Sequence, residues 1–181
     1  DKNVVKNASD LAKRIKIIAE NFKREVLIEE FIDGREFTVS VIDNDPPLVL
    51  PIVEQKFGFL PNGLNKIASF ELKWIYEDYL KDLTDAYDCP ARLTEKLKSE
   101  IEATSIRIYK TLNVHDCARI DYRLSPNGKL YFLEINTLPG LTPGEDLISY
   151  FPLAARKGGL DYKDMINKIL TSACRRYGIA V

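Results

Sequence analysis

The sequence predicts an α+β fold in which helices pack on an antiparallel sheet. Three stretches, one near each end and one in the middle of the chain, carry apolar residues at helical spacing. Between them lie runs rich in β-branched and aromatic residues, bounded by Gly, Pro, Asn and Asp. The elements follow the order helix, strands, helix, hairpin, helix, which favours helices packed on an antiparallel sheet.

Composition limits the classes of function. A chain of 181 residues with 45% hydrophobic content can bury a substantial core, and its length suits one domain or a large part of a multidomain enzyme. The net charge of -1 gives no electrostatic signal for a nucleic acid or an anionic membrane as partner. No apolar run approaches the roughly 18 residues of a membrane-spanning helix, and no secretory signal begins at Asp1.

Cysteine and histidine usage indicates the setting and excludes two kinds of site. Cys89, Cys117 and Cys174 are far apart and odd in number, which predicts a reducing, cytoplasmic setting. The single histidine, His115, is interpreted as a loop residue. With one histidine and no Cys-x-x-Cys motif, the chain has almost no material for a zinc site or a Cys–His nucleophile.

The first third of the chain predicts a helix and a meander. Residues 9–22 have the spacing of a surface helix, with Asn7 or Ser9 as its N-cap. Runs of strand-forming residues flanking turn signals then predict an antiparallel meander, with strands at residues 26–31, 36–42 and 47–54.

The remainder predicts a long loop, two helices and a hairpin. Residues 55–91 mix Gly and Pro with aromatics and have no clean period, so we expect mostly loop. An amphipathic helix begins near Thr94, and the last helix is capped by Asp161. No internal repeat or low-complexity segment occurs in the sequence.

The hairpin spans residues 117–136 and turns at residues 125–128. With a four-residue loop, Leu124 lies opposite Lys129, so Arg119 faces Glu134 and Asp121 lies diagonal to Glu134. One face then gathers the polar residues Arg119, Asp121, Arg123, Glu134 and Asn136. The other face is apolar, with Ile120, Tyr122, Leu124, Tyr131, Leu133 and Ile135.

Two carboxylates and an amide oxygen on one face are hard oxygen ligands, which suit magnesium held beside phosphate. Arg119 on the same face would meet the charge of that phosphate. The alternative is a solvated charged face, because antiparallel sheets often expose one side to water. On the hairpin pattern alone, that alternative is favoured.

The segments VLIEEFIDGREFTV, CPA, ARIDYRL and FLEINTLPGLTP together resemble a known family, the ATP-grasp ligases, and within it the D-alanine-D-alanine ligases. The resemblance covers essentially the whole chain and implies that residues 1–181 are an ATP-grasp C-terminal region. It implies ATP as cofactor with two magnesium ions (Mg2+), or manganese (Mn2+) in their place. Asp121, Glu134 and Asn136 match the acid, acid and amide that bind the metal in the family.

The resemblance assigns further residues by position. The adenine edge would meet the segment Glu29, Glu30, Phe31 and Ile32, and Glu36 resembles the acid that binds the ribose hydroxyls. Lys73 resembles a loop lysine that approaches the phosphates. The alternatives are an exposed strand edge for Glu29 and Glu30 and a solvated loop lysine for Lys73.

Two residues are assigned to the chemistry itself. Arg119 would stabilise the transferred phosphoryl group and the acyl phosphate. The Gly140 N–H, freed by the Pro139–Gly140 break, would donate to the oxyanion of the tetrahedral intermediate. The alternative for Pro-Gly is an ordinary turn.

The implied reaction joins two small-molecule amino acids. ATP phosphorylates the carboxylate of the first, and the amine of the second attacks the acyl phosphate, giving a D-alanyl-D-alanine-like dipeptide for peptidoglycan precursor synthesis. No covalent enzyme intermediate is needed, which agrees with the lack of a nucleophile–base pair. The alternatives are an ATP-grasp amino-acid ligase with another acceptor and a non-catalytic nucleotide-binding module.

The sequence departs from the family at two places. The N-terminal domain and glycine-rich loop have no counterpart, so we expect an incomplete and inactive C-terminal part; any homodimer would form through the missing region. After Thr-Pro-Gly the family usually has serine and leucine beside the second substrate, whereas this chain has Glu145, Asp146 and Leu147, which we assign to that subsite. Residues 148–150 resemble a short insertion. In the alternative, the insertion carries Glu145 to solvent and Ser149 takes the serine's role.

Overall fold

The computed structural model describes residues 3–68, 72, 80, 82–144 and 148–180. This part of the chain confirms the α+β prediction, with helices packed on an antiparallel sheet. Its helices are α1 Ala8–Phe22, α2 Glu95–Thr111, α3 Tyr150–Lys157 and α4 Tyr162–Arg176. Its strands are β1 Arg35–Ile42, β2 Leu48–Val49, β3 Val53–Gln55, β4 Tyr87–Asp88, β5 Cys117–Leu124 and β6 Leu130–Asn136.

Strand β1 is the centre of the sheet. The strand order is β4-β3-β1-β5-β6, and β2 also pairs with β1. Every pairing is antiparallel. The longest ladder joins β1 to β5, from Arg35 opposite Leu124 to Ile42 opposite Cys117. Residues that are far apart in sequence therefore become cross-strand neighbours on β1 and β5.

The predicted meander is confirmed in part. The strand predicted at 36–42 is β1, whereas the strand predicted at 47–54 is divided into β2 and β3. Pro51 lies between these two short strands and has no N–H to donate to a ladder. A continuous strand is therefore interrupted at that residue.

The strand predicted at 26–31 is wrong. This segment has no assigned strand, and Leu27 and Ile28 are 81% and 55% exposed. Strand-forming residues need a neighbouring strand, and this segment pairs with none of the described strands. The segment instead runs alongside the sheet and forms part of a cavity wall described below.

Two apolar clusters fix the helices to the sheet. Helix α2 packs Ile101 and Tyr109 against Phe37, Val39 and other residues on one face of β1 and β5. Helices α3 and α4 pack around Ile42 and Cys117 with Phe151 and Met165. The second face of the sheet is thus apolar at the end where Ile42 and Cys117 lie.

Local capping confirms the predicted helix starts. The side chains of Asn7, Thr94 and Asp161 accept hydrogen bonds from backbone N–H groups at the starts of α1, α2 and α4. Helix α3 was not predicted, because its eight residues are too few for a clear period. The long loop prediction for 55–91 also missed a 3₁₀ turn at Leu83–Ala86 and the two-residue strand β4.

The predicted register of the hairpin is wrong. Its loop has five residues, since Leu124 pairs with Leu130. A β-bulge then shifts the ladder between Tyr122, which pairs with Phe132, and Asp121, which pairs with Glu134. Arg119 therefore faces Asn136 and not Glu134. The predicted polar residues still share one face, because the extra residue at the bulge restores the alternation of side chains along β6.

The bulge also changes which β6 side chains share the core face. Phe132 takes the place beside Tyr122, with ring centroids 6.3 Å apart, whereas Tyr131 pairs with Arg123 on the polar side. Leu133 is the extra residue, and it lines a cavity on the polar side. The prediction of Tyr131 and Leu133 as core residues is therefore wrong.

No helix among the described residues has both the length and the apolar character needed to span a bilayer.

Candidate functional site

Polar side chains cross three adjacent strands on one face of the sheet. On β1 and β5, Glu36 lies opposite Arg123 and Thr38 lies opposite Asp121. On β5 and β6, Asp121 lies opposite Glu134, and Arg119 lies opposite Asn136. Directly opposed residues in an antiparallel sheet point to the same side, so the pairings form one continuous polar patch.

Asp121 is the centre of this patch. One carboxylate oxygen accepts a hydrogen bond from the Thr38 hydroxyl at 2.8 Å. The other accepts from Arg119, at 2.9 Å from Nη2 and 3.2 Å from Nε. The Asp121 side chain is 13% exposed, so these bonds hold its carboxylate at a defined place at the edge of solvent.

Glu134 and Asn136 are placed on the outer strand. The Glu134 side chain is 67% exposed and its Oε1 lies 3.9 Å from Arg119 Nη2. The Asn136 amide oxygen accepts a hydrogen bond from the Leu138 N–H at 2.9 Å. Arg119, Asp121, Glu134 and Asn136 thus lie together, as the sequence predicted, although in a different register.

A cavity of about 460 Å3 opens on this patch. Asp121, Arg123, Leu133 and Glu134 form its strand side, with Glu36 from β1. The facing wall consists of Leu27, Glu29, Glu30, Phe31, Ile32, Ile67 and Ala68. The structure therefore brings the predicted nucleotide-binding residues 29–32 and 36 to the same cavity as two of the predicted metal ligands.

A buried ion pair lines this cavity. Arg123 Nη1 donates to Glu36 at 2.8 Å, and the exposed fractions of the two side chains are 4% and 12%. Burial raises the pKa of the Glu36 carboxyl, whereas the charge of Arg123 and its hydrogen bond act in the opposite direction. Arg123 also donates to the Ile32 carbonyl at 2.9 Å and to the Lys66 carbonyl at 2.7 Å. One side chain thus connects three segments that line or adjoin the cavity.

Gly140 lies beyond β6, outside the residues that line the cavity. Its carbonyl accepts a hydrogen bond from the Ser149 hydroxyl at 2.9 Å, immediately before α3. Ser149 is therefore next to the predicted oxyanion residue. Lys73 and the predicted second-substrate residues Glu145, Asp146 and Leu147 lie outside the described residues.

The donor atoms on the patch fit a hard divalent cation. No group of three or more His, Cys, Asp or Glu side chains suited to a metal occurs among the described residues. The candidate set is of another kind, with two opposed carboxylates, Asp121 and Glu134, and the amide oxygen of Asn136 beside them. Carboxylate and amide oxygens are ligands that Mg2+ accepts, usually together with water and phosphate oxygens.

Sequence reasoning missed several residues of the site. Thr38 could have been found, because the alternation in β1 puts it on the same face as Glu36. Leu133 could not have been found, because the sequence does not indicate which of the adjacent apolar residues Phe132 and Leu133 is the extra residue of the bulge. Ile67 and Ala68 belong to a segment without a period and reach the cavity only through the tertiary fold.

A second cavity, of about 780 Å3, is larger but contains none of the predicted site residues. Three of its charged lining residues are paired, because Arg35 is bound to both carboxylate oxygens of Glu54 at 2.7 Å and Lys56 lies 3.5 Å from Asp88. The smaller cavity, which is lined by carboxylate groups from three strands, is the better candidate.

Comparison with known proteins identifies the family of the chain. The family model described as D-ala D-ala ligase C-terminus matches residues 2–171. The D-alanine–D-alanine ligase of Aquifex aeolicus is 34% identical over 146 residues, covering 81% of this chain and 43% of that protein. An uncharacterized protein of Sinorhizobium fredii is 33% identical over 174 residues, covering 96% of this chain and 48% of that protein. The chain spans about half the length of these curated relatives.

A solved structure also matches. The D-alanine–D-alanine ligase of Bacillus anthracis complexed with ATP has a TM-score of 0.71 and 25% identity, covering 96% of this chain and 49% of that one. The match extends over nearly all of the chain that carries the polar patch and its cavity.

Proposed function

The chain belongs to the D-ala D-ala ligase C-terminus family, and from this premise we propose that it forms the nucleotide- and metal-binding part of an ATP-dependent ligase that joins two amino acids into a D-alanyl-D-alanine dipeptide. One observation carries the proposal. The cavity on the polar patch combines the residues assigned to the nucleotide, 29–32 and 36, with the carboxylates of Asp121 and Glu134.

ATP would bind with its adenine along residues 29–32 and its ribose at Glu36. Phe31 and Ile32 provide apolar surface in the wall, and the Glu36 carboxylate can accept hydrogen bonds from hydroxyl groups. The phosphates would then extend along β5 toward Asp121 and Arg119. The Bacillus anthracis relative, which was crystallised with ATP, supports ATP as the nucleotide.

Asp121, Glu134 and Asn136 would hold two Mg2+ ions, with Mn2+ as a substitute. Bound there, the ions would neutralise phosphate charge and orient the reacting phosphoryl group. Thr38 contributes by fixing the Asp121 carboxylate through its hydroxyl. Glu134, which is mostly exposed, would complete its contacts only when the site is filled.

Arg119 and Gly140 would act on the reacting groups. The carboxylate of the first amino acid attacks the terminal phosphorus of ATP, ADP leaves, and Arg119 stabilises the charge on the transferred phosphoryl group. The amine of the second amino acid then attacks the acyl carbon, and phosphate leaves. The Gly140 N–H donates to the oxygen that becomes negative in this step.

The second amino acid would bind beside the loop that joins β6 to α3. Ser149 lies next to Gly140 in this loop, and we assign the acceptor subsite to Ser149 together with residues 145–147. Lys73 is assigned to the ATP phosphates. We further propose that the N-terminal domain and glycine-rich loop that the resemblance requires are supplied from outside residues 1–181.

The test has a binding part and a reaction part. The 181-residue chain is titrated with ATP in the presence and absence of Mg2+, and any longer product of its gene is assayed for ADP release that depends on D-alanine. We expect Mg2+-dependent ATP binding that Asp121→Asn weakens, and a dipeptide product in the longer protein. If the affinity for ATP is the same with and without Mg2+ and is unchanged in Asp121→Asn, the assignment of the cavity is wrong.

A further inference from the structure

We infer that Arg123 contacts the ligand in the cavity, donating from Nη2 to a ribose hydroxyl oxygen while Glu36 accepts a hydrogen bond from the same diol. This inference rests on the proposed function, because it concerns the nucleotide assigned to the cavity. It adds a residue that neither the sequence patterns nor the family resemblance assigns to nucleotide recognition.

The first support is a donor without an acceptor. Arg123 is 3% exposed and lines the cavity. Its Nε bonds the Ile32 carbonyl, and its Nη1 bonds both Glu36 and the Lys66 carbonyl. Among the described residues, Nη2 is buried and has no hydrogen-bond partner. A charged donor is seldom left unpaired in a folded protein, since its desolvation is not compensated.

The second support is the kind of acceptor that fits. Glu36 bonds to Arg123 at 2.8 Å and therefore already balances the guanidinium charge. A phosphate oxygen at Nη2 would lie beside the Glu36 carboxylate and be repelled by it, whereas a hydroxyl can accept from Arg123 and donate to Glu36 at once. A vicinal diol matches this donor–acceptor pair.

The third support is rigidity. The guanidinium carbon lies 5.8 Å from the ring centroid of Phe31 and 5.9 Å from that of Phe57. With two rings near the guanidinium and three hydrogen bonds to fixed groups, Arg123 has little freedom to turn away. A donor held in place discriminates between ligands with and without the matching oxygen better than a mobile one, because little entropy is lost on binding.

The test compares ATP with 2'-deoxy-ATP and 3'-deoxy-ATP, each with Mg2+, by calorimetric titration of the 181-residue chain and any longer product of its gene. We expect at least one deoxynucleotide to bind about tenfold more weakly than ATP. In Arg123→Met, this ratio should fall to about threefold, the part that Glu36 contributes. Arg123→Lys keeps a cation for Glu36 but lacks Nη2, so its ratio should fall as well.

A matched variant separates ligand contact from loss of an ion pair. Arg35 also pairs with a glutamate, Glu54, but its side chain is 40% exposed and lines the other cavity, so Arg35→Met should leave the ratio at the wild-type value. If Arg123→Met does not fold, Arg123→Lys and the wild-type ratio decide the question.

The outcomes distinguish two kinds of failure. ATP binding with equal affinity for both deoxynucleotides, or a ratio that neither Arg123 variant changes, would overturn the role of Arg123 and leave ATP binding intact. A wild-type protein that binds none of the three nucleotides would overturn the proposed function, and the role of Arg123 with it.

Discussion

Asp121 and Glu134 lie directly opposite each other on β5 and β6, at the step where the bulge shifts the ladder. A regular hairpin closed by the Leu124–Leu130 pair would place Leu133, not Glu134, opposite Asp121. The extra residue therefore gives the candidate site its second carboxylate. The position of one bulge decides whether these two acids can act on the same ligand.

The first prediction concerns these two acids. Asp121→Asn and Glu134→Gln should each lower Mg2+-dependent ligation by about a hundredfold or more in a complete ligase, because each removes a charge that faces the phosphates. Folding should change little, since Glu134 is 67% exposed and asparagine keeps the shape of Asp121. Steady-state turnover and the melting temperature are measured together.

The matched control for the acids is Glu54→Gln, which removes a paired carboxylate from the other cavity. It should leave turnover unchanged. Normal activity in either site variant would contradict the metal assignment, and a large drop in melting temperature without loss of turnover would indicate a structural role instead.

The second prediction tests the bulge through two neighbouring residues. Leu133→Ala should weaken nucleotide binding several-fold with little loss of stability, because Leu133 lines the cavity and is 47% exposed. Phe132→Ala should lower stability with little effect on nucleotide binding, because Phe132 packs edge-on against buried Tyr122. Nucleotide titration and urea unfolding of both variants provide the comparison. The regular register predicted from sequence gives the opposite pattern.

The third prediction concerns the acceptor subsite. Ser149→Ala should raise the KM for the second amino acid about tenfold, because the Ser149 hydroxyl orders the loop at Gly140 through a 2.9 Å hydrogen bond. Glu145→Ser should change that KM little if Ser149 has the serine's role. Should Glu145→Ser instead improve the use of D-alanine over cationic or amidated acceptors, Glu145 faces the site and the first assignment from sequence holds.

The fourth prediction concerns stability at low pH, near the end of β1 where Asp43 lies. Burial alone would raise the pKa of Asp43, but its hydrogen bonds to Lys168 and the Asn44 N–H outweigh burial, and its pKa is lowered. Stability from this pair is therefore present above the unfolded pKa of 3.8 and is lost as the pH falls through the lower folded value. The Lys168–Asp43 bond of 2.9 Å attaches α4 to the end of β1, so we expect α4 to loosen in acid.

Asp43→Asn is suited to the measurement, because asparagine tolerates the positive φ of 75° at this position. At pH 7 the variant should lose about 1 kcal/mol of unfolding free energy, the order expected for one charged hydrogen bond. When the pH is lowered to 3, its unfolding free energy should change less than that of the wild type. Lys168→Met should give the same pattern. Parallel losses in all three proteins would show that this pair does not set the acid sensitivity.

The parts of the fold that depend on local sequence were predictable. Asn7, Thr94 and Asp161 cap helices with side-chain bonds to backbone groups only three residues away, so their signals lie within a short window. The polar face of the hairpin was also predictable, because its residues are close in sequence. The roles given to the site residues remain predictions, although their placement around one cavity supports them.

What the sequence could not provide depends on long-range neighbours. Residues 26–31 have the composition of a strand, but strand formation needs a partner that propensity does not identify. In the sequence, Arg123 does not differ from other charged residues on a solvated face. Only the fold places it against Glu36, 87 residues away. The bulge at Leu133 was hidden for another reason, since alternation cannot choose between two adjacent apolar side chains.

Strand β1 is buried from Glu36 to Ile42, with alternate residues from Glu36 to Val41 facing the polar side and the α2 core, and with Ile42 packed against α3 and α4. No residue in this run faces solvent, so the strand has no position at which substitutions accumulate without effect. A deep mutational scan should find two interleaved classes here, one that lowers abundance and one that lowers ligation at normal abundance. The evolutionary consequence is that binding preferences can change more readily through the loop walls of the cavity than through the strand at its base.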